Sequence, residues 1–298
     1  MSDSPKKATI VKESWDEPLP NETKTKTQTS AGSTSNAGRA TDDAVDDSED
    51  LPDDFAEVQK TISGERRRRQ SKHIKGIQDL LSFPFSPNIR PLTISDLESC
   101  IGLEDAAFAN PAHRCSREKF EYRLGVCPEL CLGVFCTVIP GKAKGFEINT
   151  LRTAHPVETG RKDGAVSVMM AHIISTRSNE ELVTDQAMDY PRDFKTREPN
   201  TAGLGHQETG RTICIHSLAV DPKLQGCGMG KLIMKAYLQQ VKNSNLADRL
   251  SLIAQGYLVN YYKRFGFKHV GPSKASFGGG GWHDMTFELG GSPPKQND

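Results

Sequence analysis

The sequence predicts a mixed α/β domain, and three observations carry that reading. Strand-like and helix-like apolar patterns interleave between Phe83 and Leu289, in the order strand, two helices, three strands, helix, strand, helix, two strands. The stretch Thr212 to Lys231, TICIHSLAVDPKLQGCGMGK, joins a β-branched strand to a glycine turn that opens a helix. Residues 1–82 and 290–298 are polar with few large apolar side chains, so they are expected to be disordered tails around a domain at 83–289.

The elements follow in order. Ile89 to Leu92 reads as a short opening strand. Ser95-Asp96-Leu97-Glu98 has capping-box spacing, and Leu97, Ile101, Glu104 or Asp105, and Phe108 continue it as a helix that Asn110-Pro111 breaks. Ser116 caps a second helix with Phe120 and Leu124 on its apolar face. Leu130 to Ile139 is a buried strand; Cys131 and Cys136 are an odd number of residues apart on it and face opposite ways, which argues against a metal site. Pro140 to Gly164 reads as a polar hairpin loop and Ala165 to Thr176 as the next strand, with His172 as a core or edge histidine. Arg177 to Arg211 is a long connection, expected to hold a short helix at Thr184 to Met188 and to act as a lid or binding loop. Beyond the Thr212–Lys231 stretch, Leu250 to Ala254, Phe267 to Val270 and Trp282 to Leu289 read as strands, and Leu258 to Phe265 as a helix stopped by Gly266.

Composition narrows the classes. Lys plus Arg (38) balances Asp plus Glu (38), so there is no general electrostatic case for a nucleic-acid or membrane partner. Seven cysteines, an odd number without a C-x-x-C pair, and an N-terminus without an apolar run predict reduced thiols and a cytoplasmic protein. The N-terminal tail is charge-segregated, acidic over Asp42–Asp54 and basic over Arg66–Arg69. Arg68-Arg69-Gln70-Ser71 suits a basophilic kinase, which makes Ser71 a candidate phosphosite for a phospho-dependent partner. A nuclear-localisation patch and a plain solvated tail are the rival readings.

In the Thr212–Lys231 stretch, strand alternation places Cys214, His216 and Leu218 on one face, and Asp221-Pro222 ends the strand. Gln225-Gly226-Cys227-Gly228-Met229-Gly230 leads into a helix from Met229 to Val241, with Ile233, Ala236, Tyr237 and Val241 along one face. Glycines at a helix mouth let backbone amides close on an anion. A histidine-bearing strand face therefore sits beside a phosphate cradle. Taken alone, the glycines read first as a plain turn and the histidine as a packing residue.

Taken together, these residues resemble the GCN5-related N-acetyltransferases. The family hallmark [R/Q]-x-x-G-x-[G/A] is matched by Gln225, Gly228 and Gly230, and the Y-x-x-x-G-F element by Tyr262 to Phe267. Within the family, Cys127-Pro128-Glu129-Leu130, His216-x-Leu218-Ala219-Val220, Arg264-Phe265-Gly266-Phe267 and Trp282-x-Asp284-Met285 are similar to the arylalkylamine (serotonin) and fungal polyamine acetyltransferase branch. The likeness covers about Ile89 to Leu289.

The resemblance implies an acyltransferase sheet splayed between its fourth and fifth predicted strands, at 212–220 and 250–254. It implies acetyl-CoA in that cleft as co-substrate and no metal. Leu218, Ala219 and Val220 would pair with the pantetheine arm. Gln225, Gly226, Cys227, Gly228, Met229, Gly230 and Lys231 would hold the pyrophosphate, as the helix N-terminus favours. A small primary amine would attack the thioester directly. Because an alkylamine is almost wholly protonated at pH 7, a base is required, and His216 has the right ordinary pKa. Tyr262 would protonate the leaving thiolate. The branch carries a second histidine where this chain has Cys214, so Cys214 is either an apolar filler or a weak participant. Phe108, Pro111, Tyr190 and Phe194 could wall an aromatic-amine pocket, whereas Glu180, Glu181, Asp185 and Asp189 could receive a polyamine. A protein-lysine or N-terminal acetyltransferase and a non-catalytic acyl-CoA-binding regulator are the competing functions.

Overall fold

The computed structural model describes residues 85–142, 157–158, 161–196 and 203–290, preceded by Lys75, Ile77–Asp79 and Leu81. The N-terminal tail expected to be disordered and the Ser71 site lie almost entirely outside these residues, as does the C-terminal tail. The apolar core nevertheless reaches back beyond the expected onset at 83, since Ile77 and Leu81 are buried in it.

Among the described residues, eight strands form one mixed sheet. They are β1 (Pro87–Pro91), β2 (Leu132–Val138), β3 (Val157–Glu158), β4 (Val166–Ser178), β5 (Thr212–Val220), β6 (Arg249–Ala254), β7 (Lys268–Pro272) and β8 (His283–Glu288). The spatial order is β1-β2-β4-β5-β6-β8-β7, with the two-residue β3 on β4. The β5–β6 pair is parallel and the other pairs are antiparallel. A parallel pair needs a crossover, and the helix opened by the glycine turn supplies it. The sequence reading found every strand except β3, which is too short to show a period.

The α-helices are α1 (Leu97–Ala107), α2 (Arg117–Val126), the single turn α3 (Asp185–Met188), α4 (Met229–Ser244) and the short α5 (Val259–Lys263). Helix α4 covers one sheet face with Ile233, Tyr237 and Val241, packed with Ile213, Ile215, Leu250 and Leu252 from β5 and β6. Helices α1 and α2 cover the other face through Cys100, Leu103, Phe120 and Leu124, against Phe135, Met169, Ile174 and Ala219. Cys131 and Cys136 fall into these two different cores, as their odd spacing requires. The N-terminal capping box lies two residues earlier than its sequence pattern suggests. Thr93 N donates to Asp96 Oδ2 at 2.9 Å, and that carboxylate also binds Arg90.

A smaller apolar cluster sits on the α1/α2 side of the sheet near its β5–β6 junction. There Ala187 and Met188 of α3, with Val183 just before it, pack with Cys214, and Ile253 and Phe277 lie alongside. No helix among the described residues is long and apolar enough to cross a membrane.

Candidate active site

Pairing between β5 and β6 runs from Thr212–Arg249 only as far as Ile215–Leu252. Beyond that point β5 continues from His216 to Val220 against β4, and β6 continues through Ile253 and Ala254 against β8. The two strands therefore part company at His216. This is the splay expected between the predicted strands at 212–220 and 250–254, and it leaves the β6-facing edge of residues 216–220 outside the ladder.

His216 is itself the point of irregularity. Ser175 pairs with Ile215 and the preceding Ile174 with Ser217, so His216 is an extra residue on β5. Such a bulge re-aims a side chain and bends the strand. It also corrects the expected alternation. Before the bulge, Ile213 and Ile215 enter the α4 core and Cys214 faces α3; after it, Leu218 and Val220 lie on the α4 side and Ala219 on the α1 side. Leu218 thus does not share a face with Cys214, because the inserted residue flips the period.

The half-buried His216 ring is held at both nitrogens. Nε2 lies 2.7 Å from Thr176 Oγ1, and Nδ1 lies 3.0 Å from Met188 Sδ. A thioether sulfur can only accept, so Nδ1 carries the proton and Nε2 accepts a hydrogen bond from the threonine hydroxyl. Burial, then the Arg123 and Lys119 cations, hold the imidazole well below its usual pKa. His216 is therefore neutral at pH 7, the form in which a base acts. Arg123 from α2 is buried, and its Nη2 donates to the carbonyl of Met188 at 3.0 Å. That bond ties the α3 turn, and the sulfur on it, to the helix layer.

Cys214 is fully buried against α3, and burial pushes its thiol up to about 12. It stays a protonated thiol at neutral pH, which suits a filler and not a nucleophile. Tyr262 is almost fully buried, stacked edge-on against Tyr261 and Phe267, and burial drives its hydroxyl well above the usual tyrosine value. It remains a proton donor across the physiological range.

The glycine turn has the backbone that a cradle requires. Gly226 and Gly228 adopt φ of 79° and 96°, the latter as the residue that caps α4. A Cβ at Gly226 would meet nothing within 4 Å, so the loop is open there. Gly230 is small for a different reason, since a Cβ on it would lie 2.7 Å from the Tyr261 hydroxyl oxygen. Gln225 ties the turn to the strand end, donating from Nε2 to the Val220 carbonyl at 3.2 Å. Leu218, Ala219 and Val220 form the strand leading into this turn, Cys227 bonds back to the Leu224 carbonyl, and Met229 is buried under the helix start beside Lys231.

Of the aromatic residues expected as pocket walls, Tyr190 and Phe194 pack with Tyr122 and with each other. Phe277 packs against the α3 cluster, beside Trp282 and under Lys119, whose Nζ sits 5.0 Å from its ring centre. Three of the four loop carboxylates offered for a polyamine are occupied by the protein itself. Glu181 pairs with Arg249, Asp189 with Arg192, and Asp185 accepts from Ser276 and the Phe277 amide, fastening α3 to the 276–282 loop.

Sequence reasoning also missed Glu104. From α1, its Oε2 accepts from Ser217 Oγ at 2.7 Å and from His172 Nε2 at 3.0 Å, and its Oε1 accepts from the Cys115 amide at 3.0 Å. The signal available was an acid on the apolar stripe of α1. No cluster of three or more metal-type ligands occurs among the described residues.

Residues 163–289 match the family model described as "Acetyltransferase (GNAT) domain". Among curated relatives, the chain is similar to the serotonin N-acetyltransferase of Mesocricetus auratus, 27% identical over 205 residues, covering 68% of this chain and 77% of the relative. It is also similar to that of Homo sapiens, 24% identical over 196 residues, covering 65% and 78%. Solved structures that align include the loading GNATL domain of CurA from Lyngbya majuscula, 13% identical with a TM-score of 0.46, covering 69% of this chain and 98% of that one. Another is the ribosomal-protein-S18-alanine N-acetyltransferase from Escherichia coli, 14% identical with a TM-score of 0.41, covering 72% and 100%.

Proposed function

We propose that the domain moves an acetyl group from acetyl-CoA to the primary amine of a small amine. The observation that carries this reading is the opening of the β5–β6 pair at His216, with a neutral histidine on one side and a glycine-turned helix mouth at the end of the same strand. The curated serotonin N-acetyltransferase relatives support the amine class.

Each residue has a role in this reading. The edge of Leu218 to Val220 left by β6 pairs with the pantetheine amides. The opening amides of α4, which by geometry lack partners inside the helix, receive the pyrophosphate with Gly226 and Gly228 giving close approach. The amine nitrogen attacks the thioester carbonyl carbon, an N–C bond forms and the C–S bond breaks. His216 Nε2 receives the proton of the attacking nitrogen through the Thr176 hydroxyl, which passes its own proton to Nε2 as it takes the amine's. Tyr262 supplies a proton to the departing thiolate. Cys214 shapes the wall.

Release of CoA thiol with a panel of tryptamine, spermidine and a histone-tail peptide tests the reading. Turnover of a small amine is expected. Turnover of the peptide alone, or tight acetyl-CoA binding with no turnover of any amine, would overturn it. Gly228→Val gives a separate check on the cradle. A β-branched residue cannot hold φ near 96° without strain, so acetyl-CoA affinity should fall about tenfold or more by calorimetry.

A further inference from the structure

Asp284 is a carboxylate almost completely buried on β8, with no hydrogen bond or ion pair among the described residues, and its Oδ1 is sealed from solvent. A buried acid without a partner is costly, and its presence asks for one. Its place in the sheet says where that partner comes from. Asp284 lies directly opposite Ile253 on β6, so the two side chains share a sheet face. Ile253 packs against the buried cluster of Val183, Ala187, Met188 and Cys214, as Phe277 does, and Met188 of that cluster touches His216. Ser251, two residues before Ile253 and opposite Cys214, is on the same face, and its buried Oγ also lacks a partner. Trp282, two residues before Asp284, lies beside Phe277 and His113. Two orphaned polar groups thus stand on one face beneath the α3 turn and the 276–282 loop.

We infer that Asp284 is an acceptor-recognition residue that takes a second hydrogen-bond donor of the amine substrate, remote from the nitrogen being acetylated. This rests on the function proposed above. β8 is two strands away from β5, about 10 Å at ordinary strand spacing, and the gap after Ile215 widens that separation. A single nitrogen cannot serve both Asp284 and His216. The carboxylate accepts only, so its ligand is a donor: an N–H or O–H on an aromatic ring, or a second ammonium on a diamine. Ser251 adds a hydroxyl that can orient the same group.

Two matched pairs of amines test this, tyramine with phenethylamine, and 1,4-diaminobutane with butylamine. Each pair differs by one donor group. In Asp284→Asn, the ratio of kcat/KM for the donor-bearing member over its partner should fall about tenfold to a hundredfold in one of the pairs. A fall in the first pair identifies a ring donor, and a fall in the second an ammonium. If neither ratio moves in Asp284→Asn or in Asp284→Ala, the site is overturned. Thermal unfolding gives a readout independent of activity. Replacing an unpartnered buried carboxyl by an amide should leave the Tm of Asp284→Asn unchanged or raised, whereas a drop of several degrees would reveal a structural partner and overturn the inference. A wild-type protein that acetylates none of the four amines would overturn the proposed function, and this site with it.

Discussion

Replacing His216 with alanine is expected to lower kcat at pH 7 by about two to three orders of magnitude, the usual worth of a positioned general base. Acetyl-CoA affinity should be little changed, because the glycine turn lies at the far end of β5 and His216 contributes no group to it. Calorimetric titration with acetyl-CoA and initial rates on one amine check the two halves separately. A large affinity loss with normal turnover would assign His216 to the cofactor cleft instead of to proton transfer.

The pH profile follows from the same surroundings. A base works in its neutral form, so activity falls as pH drops through the folded-state pKa of His216. Burial and the cations of Arg123 and Lys119 hold that value well below the ordinary 6.5, so the acidic limb should lie below 6.5. Arg123→Met removes one cation and frees the Met188 carbonyl, so the limb should move upward and the rate at pH 6 should fall relative to pH 8. A purely structural arginine would lower the rate equally at both pH values.

The contrast between His216 and Leu218 shows what the sequence made legible. The strand, the glycine turn and the helix behind it are local patterns, and each formed where its periodicity placed it. The bulge at His216 is not local. It arises because β4 and β5 pair with unequal residue counts, and no property of HSLAV alone announces a slip against a strand some forty residues earlier. The contacts of Glu104, Met188 and Phe277 and the isolation of Asp284 were not legible for the same reason: each follows from neighbours that tertiary packing supplies or withholds. The loop carboxylates present the opposite case. Their charge was plain in the sequence, but their partners Arg249, Arg192 and Ser276 were not.

Glu104→Leu is expected to be among the most destabilising single changes in the domain. The carboxylate is buried and accepts from three donors on three different segments, Ser217 on β5, His172 on β4 and the Cys115 amide before α2. Leucine fills much of the same volume but takes the carboxylate from the half-buried Cys115 amide and from the buried Ser217 and His172, which keep only their 3.3 Å contact with each other. His172 suffers most, because its Nδ1 already has no partner and Nε2 would lose its carboxylate. Breaking a buried network of this kind costs about 3–5 kcal/mol, which for a domain of this size lowers Tm on the order of 10 °C. Glu104→Gln keeps an acceptor of the same shape and should lose clearly less. The effect should also reach catalysis, because Ser217 immediately follows the bulge residue, and its bond to Glu104 anchors β5 just where the strand leaves β6. Once that anchor is gone, the bulge can relax toward regular pairing and turn His216 away. Glu104→Leu that remains folded at low temperature should therefore show a lowered kcat as well as a lowered Tm. A variant with wild-type kcat at such a temperature would confine Glu104 to stability and detach the α1 network from the aim of the histidine.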